Sequence, residues 1–374
     1  MTLTHEILQY IDDHAGQARQ LLVDLARIPA PSNHEEQRAR FCLDWLHSVG
    51  ANGAYIDEAL NVIYPIGDDG KQDLMVFMAH SDVVFPDTTP LPLKIENGRI
   101  FCPGVGDDTA NAVALLTVAG YLAQRKLVAE NCGVLLVINS GEEGLGNLKG
   151  SRKIMADFGS RVKEFVTFDG NASSIVTKAV GSRRYRITVT TEGGHSYARF
   201  GAPNAIAQLA QLIARLYQVQ VPPIGRTTYN VGTVSGGTSV NTIAQSAEML
   251  YEFRSDEMEG LYFMQAEFDR IVEQFRASGV QIETEVVGDR PCGRNVDNSA
   301  LARRAAEAVK THYGRLPQFG SGSTDANVPL SMGIPAICSG CVMGAGAHTR
   351  EEYVEIDSLL PGLKVAADLI LHHF

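Results

Sequence analysis

Three continuous apolar runs in this chain end in residues that carry charge or bind cations. "LMVFMAH" (74–80) leads into His80 and Asp82, "CGVLLVINS" (132–140) into Glu142 and Glu143, and "EFVTFD" (164–169) into Asp169. A strand that is apolar on both faces must be covered on both faces, which calls for a mostly parallel sheet between layers of helix. Helical spacing supplies those layers at 4–28, at 34–49 and in "DDTANAVALLTVAGYLAQRK" (107–126). The expected fold class is α/β, a mostly parallel sheet flanked by helices.

The pattern changes near residue 180. "RRYRITVTTEG" (183–193) alternates polar and apolar residues as a half-exposed antiparallel strand does, and "PNAIAQLAQLIARLYQV" (203–219) has helical spacing. Two further strand patterns, a helix over 257–277 and "VQIETEVVG" follow, an order that predicts a small two-layer α+β domain. From about 297 the first style resumes with a helix at 298–313, the strand "PAICSG" and a helix at 357–372. The expected organisation is one α/β domain over 1–179 and 295–374, with a second domain inserted at 180–294.

A chain of 374 residues, 45% of them hydrophobic, is long enough for a core in each domain. The net charge of -11, without a basic stripe, speaks against nucleic acid and anionic membranes as partners. No apolar run approaches the roughly 20 residues of a membrane span. The first 28 residues read as an amphipathic helix and lack the features of a signal peptide. Six cysteines, scattered rather than framed as disulfides, point to the cytoplasm. Cys338 and Cys341 form a C-x-x-C at the end of an apolar run, with no second pair nearby, and are expected to be structural.

Sites in open α/β sheets form at the carboxyl ends of strands. His80, Asp82, Glu142, Glu143 and Asp169 stand at such ends, and "CPGVGDD" places Asp107 and Asp108 just before a helix. One such acid is usually a helix cap; several on consecutive elements predict a shared cation site. Mixed carboxylate and imidazole donors suit zinc, cobalt or manganese rather than calcium or magnesium. Asp82, two residues after His80, can face the same way and hold a ligating ring in one tautomer. Glu142 and Glu143 repel each other as neighbours; at a cation site, one can bind the ion while the other serves as a general base for water.

These motifs continue in one order: "HSD", "GVGDD", "GEEG", "FDG", "GGHS", "GSTDANV" and "AHTREEYVEI". Together they resemble the cocatalytic dinuclear zinc exopeptidases that include peptidase T, glutamate carboxypeptidase, aminoacylase and acetylornithine deacetylase, with peptidase T-like members nearest in look. The resemblance spans nearly the whole chain and implies that the inserted domain is a lid or dimerisation domain. It implies that Asp107 bridges two divalent ions, zinc foremost, with His80 and Asp169 completing one ligand set and Glu143 and His348 the other. It makes Glu142 the general base and Asp82 the residue that orients His80. It makes His195 a lid histidine that reaches a partner subunit's site in a homodimer, and Arg254 and Asn241 substrate contacts. One departure is Thr109, where the family usually has lysine.

The reaction so implied is hydrolysis of an amide bond in a short peptide or an N-acyl amino acid. Aspartate at the position of Asp169 tends to mark aminopeptidases and dipeptidases, so a di- or tripeptide aminopeptidase is expected, with an N-acyl-amino-acid amidohydrolase or carboxypeptidase as the alternative. A non-catalytic metal-binding protein is the alternative of another class; Glu142, an acid that need not bind metal, speaks against it. His5, His14, His34 and His47 lie on helical, exposed stretches and receive no role. His372 and His373 are expected to be disordered, Arg183 and Arg184 to lie on a solvated strand face, and "GSTDANV", taken without the resemblance, reads as an ordinary loop.

Overall fold

A computed structural model describes residues 3–70, 72–129 and 131–374. The chain forms two compact units: one runs to Ala179 and resumes at Arg294–Phe374, and the other is Val180–Gly293.

The first unit is built on an eight-stranded sheet. Its order is Tyr55–Ile56, Val62–Ile66, Gly133–Asn139, Leu74–His80, Val162–Thr167, Ala336–Ser339, Ser174–Ala179 and Gln318–Gly322. The four strands from Gly133–Asn139 to Ala336–Ser339 run parallel, and every residue of Gly133–Asn139 is buried. The sheet is mixed at its flanks, where Val62–Ile66 and Ser174–Ala179 pair antiparallel with their inner neighbours. Register sets the geography of the site. His80 lies opposite Asn139, and Met78 opposite Thr167, so the three apolar runs end at one level. The segments that follow them, "SD", "SGEE" and "FDG", therefore leave the sheet side by side.

Helix Ala110–Arg125 is buried from Ala110 to Ala123, as expected for a helix apolar all round. It starts later than the spacing predicts. Asp107 has non-helical backbone angles (φ -116°, ψ 85°), and the turn Val105–Thr109 precedes the helix proper. Gly104 opens that turn at φ +75°, where a Cβ would stand 2.2 Å from Val83 Cγ1. No side chain fits there.

Two further expectations fail. His372 and His373 are ordered: the turn Leu371–His373 ends the chain's last helix, and the His373 ring packs against Phe77 with centroids 5.7 Å apart. Apolar contact beneath the sheet outweighs the tendency of a terminus to fray. Arg183 and Arg184 are partly buried in ion pairs with Asp289 (3.1 Å) and Glu252 (3.2 Å) on neighbouring strands.

The second unit is a four-stranded antiparallel sheet in the order Thr227–Gly236, Ser246–Ser255, Gly181–Thr190, Gln281–Arg290. Helices Ala205–Leu216 and Met258–Ala277 bury Leu209, Leu212, Met264 and Phe268 in one core with Tyr185, Ile187, Val189, Met249 and Phe253 of the strands. Asn204 caps the first helix, its Oδ1 accepting from the N–H groups of Ile206 (2.9 Å) and Ala207 (3.3 Å). Among the described residues, no helix is long and apolar enough to cross a membrane.

Candidate metal centre

The first unit brings six side chains together at the carboxyl edge of its sheet. His80 ends its strand with its ring buried, and its Nε2 lies 3.1 Å from Asp107 Oδ1. The other oxygen, Asp107 Oδ2, lies 3.1 Å from His348 Nε2, and that same nitrogen is 3.1 Å from Glu143 Oε1. One carboxylate thus presents an oxygen to each histidine. Donor atoms of His80, Asp107 and Glu143 all lie within 4.8 Å of one another, as do those of His80, Asp108 and Asp169. Asp169 reaches the cluster, but it groups with His80 through Asp108 rather than through Asp107.

Elementary electrostatics shows what this cluster lacks. Burial would raise the Asp107 carboxyl, yet hydrogen bonds from His348 and His80 hold it well below the usual range. Those same contacts with Asp107 and Glu143 raise His348 to about 10. Burial pushes Glu143 up to about 7, against the His348 contact and with help from Asp107 and Glu142. Asp108, fully buried, is driven well above the carboxylate range by desolvation and by Asp169. So many acids gathered around two imidazoles need positive charge, and protons alone supply it poorly. The donor set, carboxylate oxygens with imidazole nitrogens on facing elements, fits divalent cations.

Asp82 has a wider task than orienting His80. Its carboxylate accepts the N–H groups of Glu142 and Glu143, each at 2.9 Å, and the Ser32 hydroxyl at 2.6 Å. The His80 Nδ1 contact is nearer to the Asp82 backbone carbonyl (3.0 Å) than to the carboxylate (3.5 Å). Burial would raise the Asp82 carboxyl, but these partners lower it below its usual value. Asp82 therefore fixes the Glu142–Glu143 corner as well as the ring. His348 stands at φ +64°, a conformation uncommon outside glycine, which turns its ring toward Asp107.

Three supporting residues, Glu352, Arg38 and Asp325, were given no role from the sequence, and Asp108, read there only as one acid of a shared cation site, has a more specific one. Asp108 accepts the His80 N–H (2.9 Å) and the Asn111 amide (2.6 Å). Glu352 accepts three N–H groups of the Asp107 turn. Arg38, wholly buried, donates to Ile28 O (2.8 Å), Ser81 O (2.9 Å) and Thr109 Oγ1 (3.1 Å), so the unexpected threonine receives a guanidinium hydrogen bond. Asp325 of "GSTDANV" is buried and accepts the Asn139 amide at 2.6 Å, so this stretch packs against a central strand. The paired acids inside "TREEY" and "GVGDD" were the available signal for Glu352 and Asp108. Cys338 and Cys341 are free and buried.

The second unit, described by itself, holds the three remaining candidates. His195 is exposed, and its Nδ1 accepts from the N–H groups of Tyr197 (3.3 Å) and Ala198 (3.4 Å), which leaves Nε2 as the donor. Asn241 shares that corner: its backbone carbonyl accepts the Ser196 N–H at 2.9 Å, and its side-chain oxygen accepts the Ser239 hydroxyl at 2.8 Å. Arg254 lies elsewhere on the sheet and forks onto Glu252 at 2.9 and 3.1 Å, so a carboxylate already occupies its guanidinium.

A sheet whose strand ends converge carboxylates and imidazoles is built to hold divalent cations, and the family to which the chain belongs is one of metal-dependent hydrolases. Residues 76–372 match peptidase family M20/M25/M40, and the chain belongs to that family. Succinyl-diaminopimelate desuccinylase of Corynebacterium glutamicum is 24% identical over 362 residues, covering 93% of this chain and 94% of the relative. A tripeptidase of Staphylococcus aureus shares the fold with a TM-score of 0.75 at 21% identity, over 96% of this chain and 98% of that one. A di-peptidase of Saccharomyces cerevisiae gives a TM-score of 0.76 at 17% identity, over 98% of each chain.

Proposed function

We propose that this hydrolase cleaves the amide bond of di- or tripeptides with a free amino terminus, using two divalent cations, zinc foremost. His80, Asp107 and Asp169 would hold one ion, and Asp107, Glu143 and His348 the other. The observation that carries the two-cation reading is the Asp107 carboxylate, with one oxygen toward each histidine; the preference for a free amino terminus rests on aspartate at position 169. When bound, the cations supply charge that polarises a carbonyl and lowers the pKa of water. Glu142, held by its own N–H to Asp82, takes the proton from water and returns it to the leaving amine. His195, with Nε2 as donor, would stabilise the oxyanion in a partner subunit's site, and Arg254 and Asn241 would contact substrate; Arg254 must first exchange Glu252 for that role.

The second reading is an N-acyl-amino-acid amidohydrolase, favoured by the desuccinylase among the relatives. A panel of di- and tripeptides set against N-acetyl and N-succinyl amino acids, with zinc, cobalt or manganese added, separates the two. Peptide turnover that vanishes when the amino terminus is blocked is the expected result; turnover of acyl amino acids alone overturns the aminopeptidase reading. We also infer a homodimer formed through the second unit, and a cytoplasmic location from six free cysteines.

A further inference from the structure

Glu352 lies four residues beyond His348 and is buried, although a carboxylate this close to Asp107 adds to the charge the site must neutralise. Its Oε1 accepts the N–H groups of Gly106 (2.7 Å) and Asp107 (2.8 Å), and its Oε2 accepts that of Gly104 (2.8 Å). Three N–H groups on one short turn make an anion-binding concavity, and here a side chain of the same protein fills it. The fit is close. A Cβ on Gly106 would stand 3.3 Å from Glu352 Oε1. The backbone of Glu352 is fixed as well, its carbonyl accepting the Cys102 N–H at 3.1 Å just before Tyr353–Glu355 pairs with Arg99–Phe101.

We propose that Glu352 is a positioning residue for the metal centre, clamping the turn that carries Asp107 to the segment that carries His348. The linkage closes a ring. Asp107 Oδ2 faces His348 Nε2 at 3.1 Å on one side, while Glu352 grips the Asp107 N–H on the other. The segment that places one imidazole thereby also sets the height and tilt of the carboxylate shared with the other. Lining up these donors in advance spares the incoming ion the cost of ordering the turn. Glutamine is nearly isosteric but cannot take this place, because its amide nitrogen would meet at least one N–H donor head-on. This inference rests on the metal-centre reading and does not depend on the substrate.

The test compares the parent protein, Glu352→Gln, Glu352→Asp and, as a surface control, Glu351→Gln. Zinc is titrated into metal-free protein by calorimetry, and amide exchange of the 102–108 peptide is followed in the same metal-free samples. The expected result for Glu352→Gln is a roughly 10- to 100-fold loss of affinity for at least one zinc, the usual effect of removing a group that orients ligands. Exchange at Gly104, Gly106 and Asp107 should quicken at least tenfold, and added zinc should restore part of the turnover. Affinity and exchange within twofold of the parent overturn the proposal. Failure of both Glu352 variants to fold also overturns it, since Glu352 would then serve the whole unit. A parent that binds no zinc refutes the metal-centre reading itself, an outcome visible before any variant is compared.

Discussion

Glu142 and Glu143 are adjacent, buried, and bonded through their own N–H groups to the same Asp82 carboxylate, yet their side chains are placed for different work. Glu143 Oε1 lies against His348, and Glu143 groups with His80 and Asp107, whereas among the described residues Glu142 belongs to neither donor group. Glu142→Gln should therefore keep its zinc and lose about two to four orders of magnitude in kcat, as expected for removal of a general base. Glu143→Gln should bind one zinc more weakly and recover part of its activity in excess zinc. Metal analysis and turnover of both variants check this. A Glu142→Gln protein that loses zinc, beside a Glu143→Gln protein that keeps it and is inactive, would exchange the two roles. Residues of this kind were legible because they stand at the ends of apolar runs. Glu352 and Arg38 were not, because their meaning lies in partners far along the chain. Glu352 clamps a turn more than 240 residues away, and Arg38 sits among charged neighbours in a helix, with nothing local to set it apart from them. Local patterning cannot show that a charge is buried when the groups that satisfy it are backbone carbonyls on other elements.

At the scale of elements the sequence was readable wherever periodicity was strong. The all-apolar run Gly133–Asn139 and the alternation of Gly181–Thr190 appear as the central and half-buried strands that their patterns require. It was least readable at Val105–Thr109, where a helical pattern is interrupted by a turn that only Gly104 and long-range bonds to Glu352 explain. The strand Thr227–Gly236 raises a different matter. It is an edge of the second unit's sheet, it carries neither lysine nor proline, and Val234 on it is 57% exposed. A bulge at Val231–Thr233 and the Val231 N–H bond to Tyr217 Oη (3.2 Å) guard only the middle of this edge; proteins seldom leave the rest bare, and an isologous pairing with the same strand of a second copy would cover it. Sedimentation equilibrium should give twice the 40.4 kDa chain mass at micromolar concentration. Val234→Pro, which removes an outward-facing N–H and leaves the Thr233–Leu250 pairing intact, and Val234→Lys should each shift the protein toward monomer without unfolding it. A parent that sediments as an active monomer sinks the pairing.

The whole molecule carries a net charge of -11, but the charge that governs its behaviour is the set of acids buried in the first unit: Glu35, Asp82, Asp108, Glu142, Glu143, Asp325 and Glu352. Burial raises Glu143 and Glu352 to about 7 in the metal-free fold, and carboxylate contacts raise His348 to about 10. Each of these shifts is upward, so the folded protein holds more protons than the unfolded chain above pH 6.5, and stability must fall as pH rises. The two glutamates lose their contribution through about pH 7, and His348 loses its own as pH climbs toward 10. His372 and His373, whose pKa values are lowered, act in the opposite sense but mainly below about pH 6.5, their ordinary value. Urea unfolding of chelator-treated protein, followed by the fluorescence of Trp45, should therefore show a lower midpoint at pH 8.5 than at pH 6.5. Saturating zinc should flatten or reverse the trend, because ions displace the same protons and bind more tightly as pH rises. A metal-free midpoint that holds steady or rises over this range would mean that the buried acids are compensated by something other than protons and cations.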